Sequence, residues 1–478
     1  MAIGVFCFGS GMIHLVITTI VTYVLLAHLP RGSLTMQLPV FLFNMAYLLT
    51  EYYYVSSSET YDIDFTTAHC VLTLRLIGLG WDYLDGAAPR DTAASSSSSS
   101  SPSPAPSPFP SASSSPSPSP APTPSSSPPP VSASTDSLGG GQRKSNAIKT
   151  LPPLLEVFGY AFHWSGLLVG PQFPFRLYSS FIGGSLLAEG GEAARPLPWM
   201  PALKSLVLGM MYLVISGLGG RFLPITLVLE DSFLAWAFWE RILYLWVSTR
   251  LRIYTYVGIW LVTDGHCILS GLGFNGLENG KPKWDGVTNF LPFIFDTATS
   301  LSMNPALLFF FFVFFFSNAF PLLADHYVVS FNINTNMWVK DYVFKRLRFL
   351  GSKDLSSLLA LIFLAVWHGF APGYFITFTL EFFTVIAESK FRRLLLPIST
   401  RPFWSSPAGK RLGGFVGYFL SSLTCSFCFV PFEVKTLAKS MRAFDSVYWF
   451  VIVISGAIYG LDFFFGRTLR KRYAPKKD

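Results

Sequence analysis

Leu355-Ser-Ser-Leu-Leu-Ala-Leu-Ile-Phe-Leu-Ala-Val-Trp-His368-Gly-Phe-Ala-Pro372-Gly-Tyr-Phe-Ile-Thr-Phe-Thr-Leu-Glu381-Phe-Phe-Thr-Val-Ile-Ala387 is predominantly apolar from end to end. It outruns the ~20 residues that carry one helix across a bilayer. Pro372 falls in its middle. In a continuous helix Pro372 would have no N–H to give the carbonyl four residues back, and that carbonyl belongs to His368. The stretch therefore predicts helix, break, helix, with His368 at the break and turned toward an internal cavity. Ionisable groups at membrane depth are costly, and they pair with polar surroundings or serve a function.

The rest of the chain agrees with a membrane setting. Of 478 residues 51% are hydrophobic, 17% aromatic and only 13% charged, against about a quarter charged in soluble proteins. Further apolar runs at 3–29, 37–49, 201–229, 232–263, 306–324, 412–432 and 447–466 give an expected all-α, polytopic transmembrane bundle of roughly eight to ten membrane helices. The runs are continuous rather than alternating, which excludes a transmembrane barrel. The net charge of +8 comes from clusters such as Lys340–Lys353 and Arg467–Lys477 beside apolar runs, the pattern of cytosolic-side topology determinants. No soluble basic domain exists to bind nucleic acid. Five cysteines, odd in number and in or beside apolar segments, argue against a disulfide framework. Cys425 and Cys428 read as buried thiols rather than a metal or redox pair.

Three regions follow. Residues 1–90 form N-terminal membrane helices, 91–145 a Ser/Pro-rich linker, and 146–478 a membrane core with a basic tail. The linker has too few large apolar side chains to offset its ordering entropy and is expected to be disordered. The segment from Tyr61 to Gly86 carries Arg75 and Asp82, so a helix packed inside the protein, or one at the interface, fits better than a lipid-facing one. Glu156, His163 and the Gly170-Pro171 breaker suggest re-entrant or buried geometry for 151–173. The glycines of 271–280 predict a flexible loop. Glu240 and Arg241, adjacent on a helix, point about 100° apart and do not face one another.

Upstream of His368 lies a polar cluster, Asn332-Ile-Asn-Thr335-Asn-Met-Trp338. Histidine, with an unperturbed pKa of about 6.5, is the natural general base at neutral pH. An asparagine amide can donate to a developing oxyanion. Equally, His368 could hydrogen-bond a neighbouring helix and Asn332 could cap one. Lys345, Arg346 and Arg348 could hold the phosphates of a nucleotide-bearing acyl donor, or serve topology and anionic-lipid contact.

At these residues the sequence resembles the membrane-bound O-acyltransferase family, whose pattern is Asn-x-x-Thr-x-x-Trp followed by a histidine in an apolar helix. Asn332, Thr335 and Trp338 fit the first part, and Trp367-His368-Gly369 the second. Tyr374, Glu381, Gly271–Gly276, Lys283-Trp284-Asp285 and Val169–Phe173 extend the likeness. The resemblance, nearest to members that acylate lysophospholipids, implies acyl transfer from acyl-CoA to the free sn-2 hydroxyl of a lysophospholipid. It implies a catalytic tunnel buried in the membrane and a location in the endoplasmic reticulum. His368 and Asn332 become the catalytic pair, and Trp338, Tyr342, Lys345, Arg346, Trp367 and Glu381 candidate substrate contacts. No cofactor or metal is expected, acyl-CoA being a co-substrate. Sterol, diacylglycerol or protein acceptors are the alternatives within the family. A transporter would also use broken helices, but no hydropathy repeat spans the linker, and a non-catalytic scaffold would have lost His368 or Asn332. Against the family pattern the chain starts within the N-terminal helical block, so leading spans are expected to be missing, and residues 297–327, with the Phe309–Phe316 run, read as an insertion.

Overall fold

The computed structural model describes residues 2–55, 65–87, 146–188, 190–191, 198–290, 331–395, 397 and 401–473. The Ser/Pro linker and the 297–327 stretch lie outside the described residues. The described residues are mainly α-helical, in an integral membrane architecture. Gly4–His28, Trp199–Leu229, Leu412–Val434 and Phe450–Tyr473 are each long and apolar enough to cross a membrane.

The other long helices carry polar side chains and bury them. Near the N-terminus, α1 (Met12–His28), α2 (Leu34–Val55) and α3 (Phe65–Asp85) pack together. Of the two settings its charges allow, α3 takes the internal one: Arg75, His69 and Asp82 are all buried. Each of these groups finds partners, as polar groups out of reach of water must. His69 bonds Glu51 and, at 3.0 Å, the Thr18 hydroxyl. The Arg75 guanidinium donates to the carbonyls of Tyr160, Ala161 and Pro171 at 3.1–3.4 Å and sits 4.4 Å from the Phe173 ring. Arg75 thereby fastens the segment after α4 (Leu154–Ala161), which is buried and irregular as expected.

The next pair, α5 (Trp199–Phe222) and α6 (Phe238–Ser270), lie along one another. Small residues set this approach: a Cβ on Gly209 would stand 2.8 Å from the Gly258 carbonyl oxygen. At the start of α6, Glu240 caps the backbone N–H of Ala237 while Arg241 donates to the Ser446 carbonyl at 2.6 Å. The two neighbours do face apart.

The glycine loop after α6 is ordered, which corrects the flexible loop expected from composition. Gly271, at φ 92°, ends the helix, and a short antiparallel hairpin, β1 (Leu277–Glu278) with β2 (Lys281–Pro282), follows. Asn275 N–H to Lys283 O at 2.8 Å and Gly286 N–H to Gly273 O at 2.9 Å close it. Its glycines supply turn geometry, and backbone pairing holds the rest.

Then come α7 (Ile333–Tyr342), a 3₁₀ turn at Phe344–Leu350, α8 (Lys353–His368) and α9 (Pro372–Leu394). The chain closes with α10 (Pro407–Val434), α11 (Leu437–Ser446) and α12 (Phe450–Tyr473). α9 packs on α8, α10 and α12, and α10 on α6. Trp246 Nε1 on α6 donates to Ser422 on α10 at 2.8 Å.

Candidate active site

The predicted break falls where the sequence puts it. α8 is capped at its start by Ser352, whose hydroxyl accepts from Leu355 N–H at 3.2 Å. It stops at His368 because Gly369 adopts φ 118°, a conformation that L side chains rarely tolerate. Pro372 opens α9 at the first helical position, where its missing N–H costs nothing. His368 thus ends one helix rather than kinking a continuous one.

The ring of His368 lies among four aromatic rings. Their centroid distances are 4.6 Å to Trp367, 5.0 Å to Phe432, and 5.6 Å to Tyr374 and to Phe378. Its nitrogens make no hydrogen bond to a described residue, and one side of it borders a cavity of ≈ 190 Å³. The reading in which His368 merely bonds a neighbouring helix is not what the described residues show.

Asn332 borders the same cavity. It precedes α7 in the left-handed region, φ 52° and ψ 49°, which asparagine tolerates better than most residues. Its side chain makes no capping bond to α7. The neighbouring Asn334 fixes its position: Nδ2 donates to Val287 O at 2.8 Å and to Asn289 Oδ1 at 2.9 Å. Ile333 N–H bonds Asn289 O at 3.1 Å, and Phe331 pairs with Phe290. Residues 287–290, directly after the glycine loop, therefore supply the anchor for Asn332. Asn289 and Asn334 did not emerge from the sequence as partners, because they stand 45 positions apart in the chain.

The cavity walls come from one face of each of several helices. On α9 these are Thr377, Phe378, Glu381, Thr384 and Val385, and on α10 Thr424, Cys425, Cys428, Phe429 and Phe432. Both sets follow the i, i+4, i+8 spacing of a single helical face. Ile253, Tyr256 and Trp260 of α6 complete it. Cys425 and Cys428 are free thiols. A mostly apolar cavity with a few convergent polar groups is the usual form of a small-molecule site.

The other candidate contacts divide. Trp367 and Glu381 line the cavity; Trp367 Nε1 also donates to the Cys70 carbonyl at 2.9 Å, tying α8 to α3. Trp338 and Tyr342 are buried with Leu74 and Ile77 of α3 in a core that also takes in Trp367, and the Tyr342 hydroxyl donates to Asp82 at 2.5 Å. Lys345 pairs with Asp341 at 2.5 Å. Arg346 pairs with Asp85 at 2.7 Å and lies 3.6 Å from the centroid of the Trp81 ring. None of these four borders the cavity.

The family model for MBOAT, the membrane-bound O-acyltransferase family, matches residues 50–304 and 323–430. The gap in that match falls inside the 297–327 stretch expected to be an insertion. The chain is 32% identical over 489 residues to lysophospholipid acyltransferase 5 of Homo sapiens, covering 100% of this chain and 83% of that protein. Lysophospholipid acyltransferase 5 of Drosophila melanogaster is 30% identical over 84% of this chain and 65% of its own length. Lysophospholipid acyltransferase of Saccharomyces cerevisiae is 26% identical over 94% of this chain and 66% of its own.

Proposed function

The chain belongs to the membrane-bound O-acyltransferase family, and we propose that this acyltransferase re-acylates lysophospholipids at the sn-2 hydroxyl, with acyl-CoA as donor, in the endoplasmic reticulum membrane. One observation carries the chemical part. Asn332 and His368, from separate segments, border one cavity in which the His368 nitrogens are unclaimed by a described residue.

In this reading His368 accepts the proton of the lysolipid hydroxyl as its oxygen attacks the thioester carbon. A C–O bond forms, the C–S bond breaks, and the departing thiolate takes a proton to leave as free CoA. No acyl-enzyme is required. Asn332 Nδ2–H positions or polarises the thioester carbonyl and meets the negative charge that develops on its oxygen. The chemistry needs no cofactor beyond the co-substrate. The relatives' names, lysophospholipid acyltransferases all, support the acceptor class.

Microsomes containing the chain, given labelled acyl-CoA and lysophosphatidylcholine, are expected to form phosphatidylcholine. His368→Ala should lower turnover by ~10²–10⁴-fold. Unchanged turnover in that variant would remove His368 as base. A wild type that acylates a sterol or diacylglycerol, and no lysophospholipid, would move the acceptor elsewhere in the family.

A further inference from the structure

Glu51 of α2 and His69 of α3 are a buried carboxylate and a buried imidazole that the acyl-transfer steps above do not use. Their hydrogen bonds fix where the protons sit. The Thr18 hydroxyl donates to the His14 carbonyl at 2.6 Å, because a carbonyl can only accept. Its oxygen therefore accepts from His69 Nε2–H at 3.0 Å. His69 Nδ1 faces Glu51 Oε2. A neutral ring protonated on Nε2 presents a lone pair at Nδ1, so a further proton lies between Nδ1 and the carboxylate. As imidazolium and carboxylate, or as imidazole and carboxylic acid, the pair is neutral overall. That is the form in which ionisable groups persist away from water. The second carboxylate oxygen lies 3.3 Å from His14 Nδ1, which also meets the Tyr47 hydroxyl at 3.0 Å.

One residue further along each of α2 and α3, the chain reaches a neighbour of His368. The Cys70 carbonyl accepts from Trp367 Nε1 at 2.9 Å. On the other side, a Cβ on Gly369 would stand 3.5 Å from Cδ2 of Tyr52, ordinary van der Waals distance. Trp367 and Gly369 flank His368 in the chain, so α3 holds one side of the base and α2 meets the other. Leu48 of α2 and Leu74 and Ile77 of α3 share a buried core with Leu364 and Trp367 of α8. A shift of α2 against α3 thus reaches the end of α8 through contiguous packed side chains.

We propose that Glu51 and His69 are positioning residues for acyl transfer: their shared proton clamps α2 to α3, and the clamp sets the orientation of His368 through Trp367 and Gly369. Their role rests on His368 acting as the base, as proposed above.

The test uses the full chain in membranes, with kcat and KM measured for labelled acyl-CoA and lysophosphatidylcholine. Glu51→Ala is expected to lower kcat about 10- to 100-fold, the effect of a displacement of ~1 Å, with KM for either substrate within about threefold of wild type. Glu51→Gln should stay within about fivefold of wild-type kcat, because its amide N–H can donate to Nδ1 of a neutral His69. In a His368→Ala background, with no base left to misplace, Glu51→Ala should lower the residual rate by less than about threefold. Trp367→Phe, which loses one indole N–H, should also lower kcat. Combined with Glu51→Ala, it should lower kcat by less than the product of the two single effects. Wild-type kcat in Glu51→Ala would overturn the assignment, as would a Glu51→Gln enzyme no better than Glu51→Ala. So would an equal fall caused by Glu51→Ala in the wild-type and His368→Ala backgrounds, the mark of a structural role alone. If Glu51→Ala gives no monodisperse protein, Trp367→Phe decides, and unchanged kcat in that variant overturns the clamp. Undiminished turnover in His368→Ala alone would instead remove the base on which the clamp acts.

Discussion

Gly373 is the position where a single added methyl group should be felt at the cavity. It lies at the second residue of α9, and its N–H donates to the Lys435 carbonyl at 2.7 Å. A Cβ there would stand 1.9 Å from the Pro431 carbonyl oxygen and 2.9 Å from Lys435 Cα. Both obstacles are backbone, so no side chain can rotate away. Ordinary contact requires the start of α9 and the end of α10 to separate by at least ~1 Å. Overpacking of that kind costs ~1–3 kcal/mol, and stretching the Lys435 hydrogen bond adds ~0.5–1.5 kcal/mol. The moving element carries Tyr374, Phe378 and Glu381, while Phe432 stays with α10. A displacement of ~1 Å among positioning groups costs on the order of 10²-fold in rate. Gly373→Ala should therefore reduce acyl transfer in membranes about 100-fold and lower the melting midpoint of the purified protein. Gly217→Ala and Gly220→Ala, on α5 with no atom within 4 Å of the new methyl group, should leave both readouts at or slightly above wild type. A Gly373→Ala protein with more than half the wild-type turnover and an unchanged midpoint would refute the close-contact argument.

Two further outcomes follow from polar groups away from the cavity. Arg346→Ala breaks a largely buried pair with Asp85 and removes the contact with Trp81, so it should destabilise the protein by about 3 kcal/mol or more and shift KM for acyl-CoA only a few fold. A tenfold rise in KM at unchanged stability would instead assign Arg346 to the acyl donor, and a double-mutant cycle with Asp85→Ala would measure the coupling. Arg75→Met strands three carbonyl acceptors inside the N-terminal region and should cost at least ~3 kcal/mol. Arg75→Lys should not rescue it, because one ammonium cannot reproduce the guanidinium fork; recovery of monodisperse protein in detergent is the check, and wild-type yield from either variant would refute the staple.

The sequence alone settled what local chemistry settles. Continuous apolar runs specified membrane helices, and Arg75 with Asp82 marked α3 as internal or interfacial, because a lipid-facing surface could not solvate them; its burial decided for internal. Pro372 marked the break between two helices, since its missing N–H acts within a single turn, and the structure added Gly369 at φ 118° as the residue that ends the first. Glu240 and Arg241 were separable by helical geometry, and the Asp341–Lys345 pair was open to the same i, i+4 reasoning. The family pattern singled out Asn332 and His368. Tertiary structure decided the partners that lie far apart in the chain. Arg346 meets Asp85 across 261 residues, so a cation that reads as a phosphate ligand becomes a buried tie. Tyr342 is held against α3 by Asp82 for the same reason. The anchor of Asn332 comes from residues 287–290, set in place by the glycine loop before them, whose backbone pairing composition does not report. Glu381, one polar residue in an apolar run, acquired its setting only when α6, α9 and α10 closed one cavity around it and left it without a described partner.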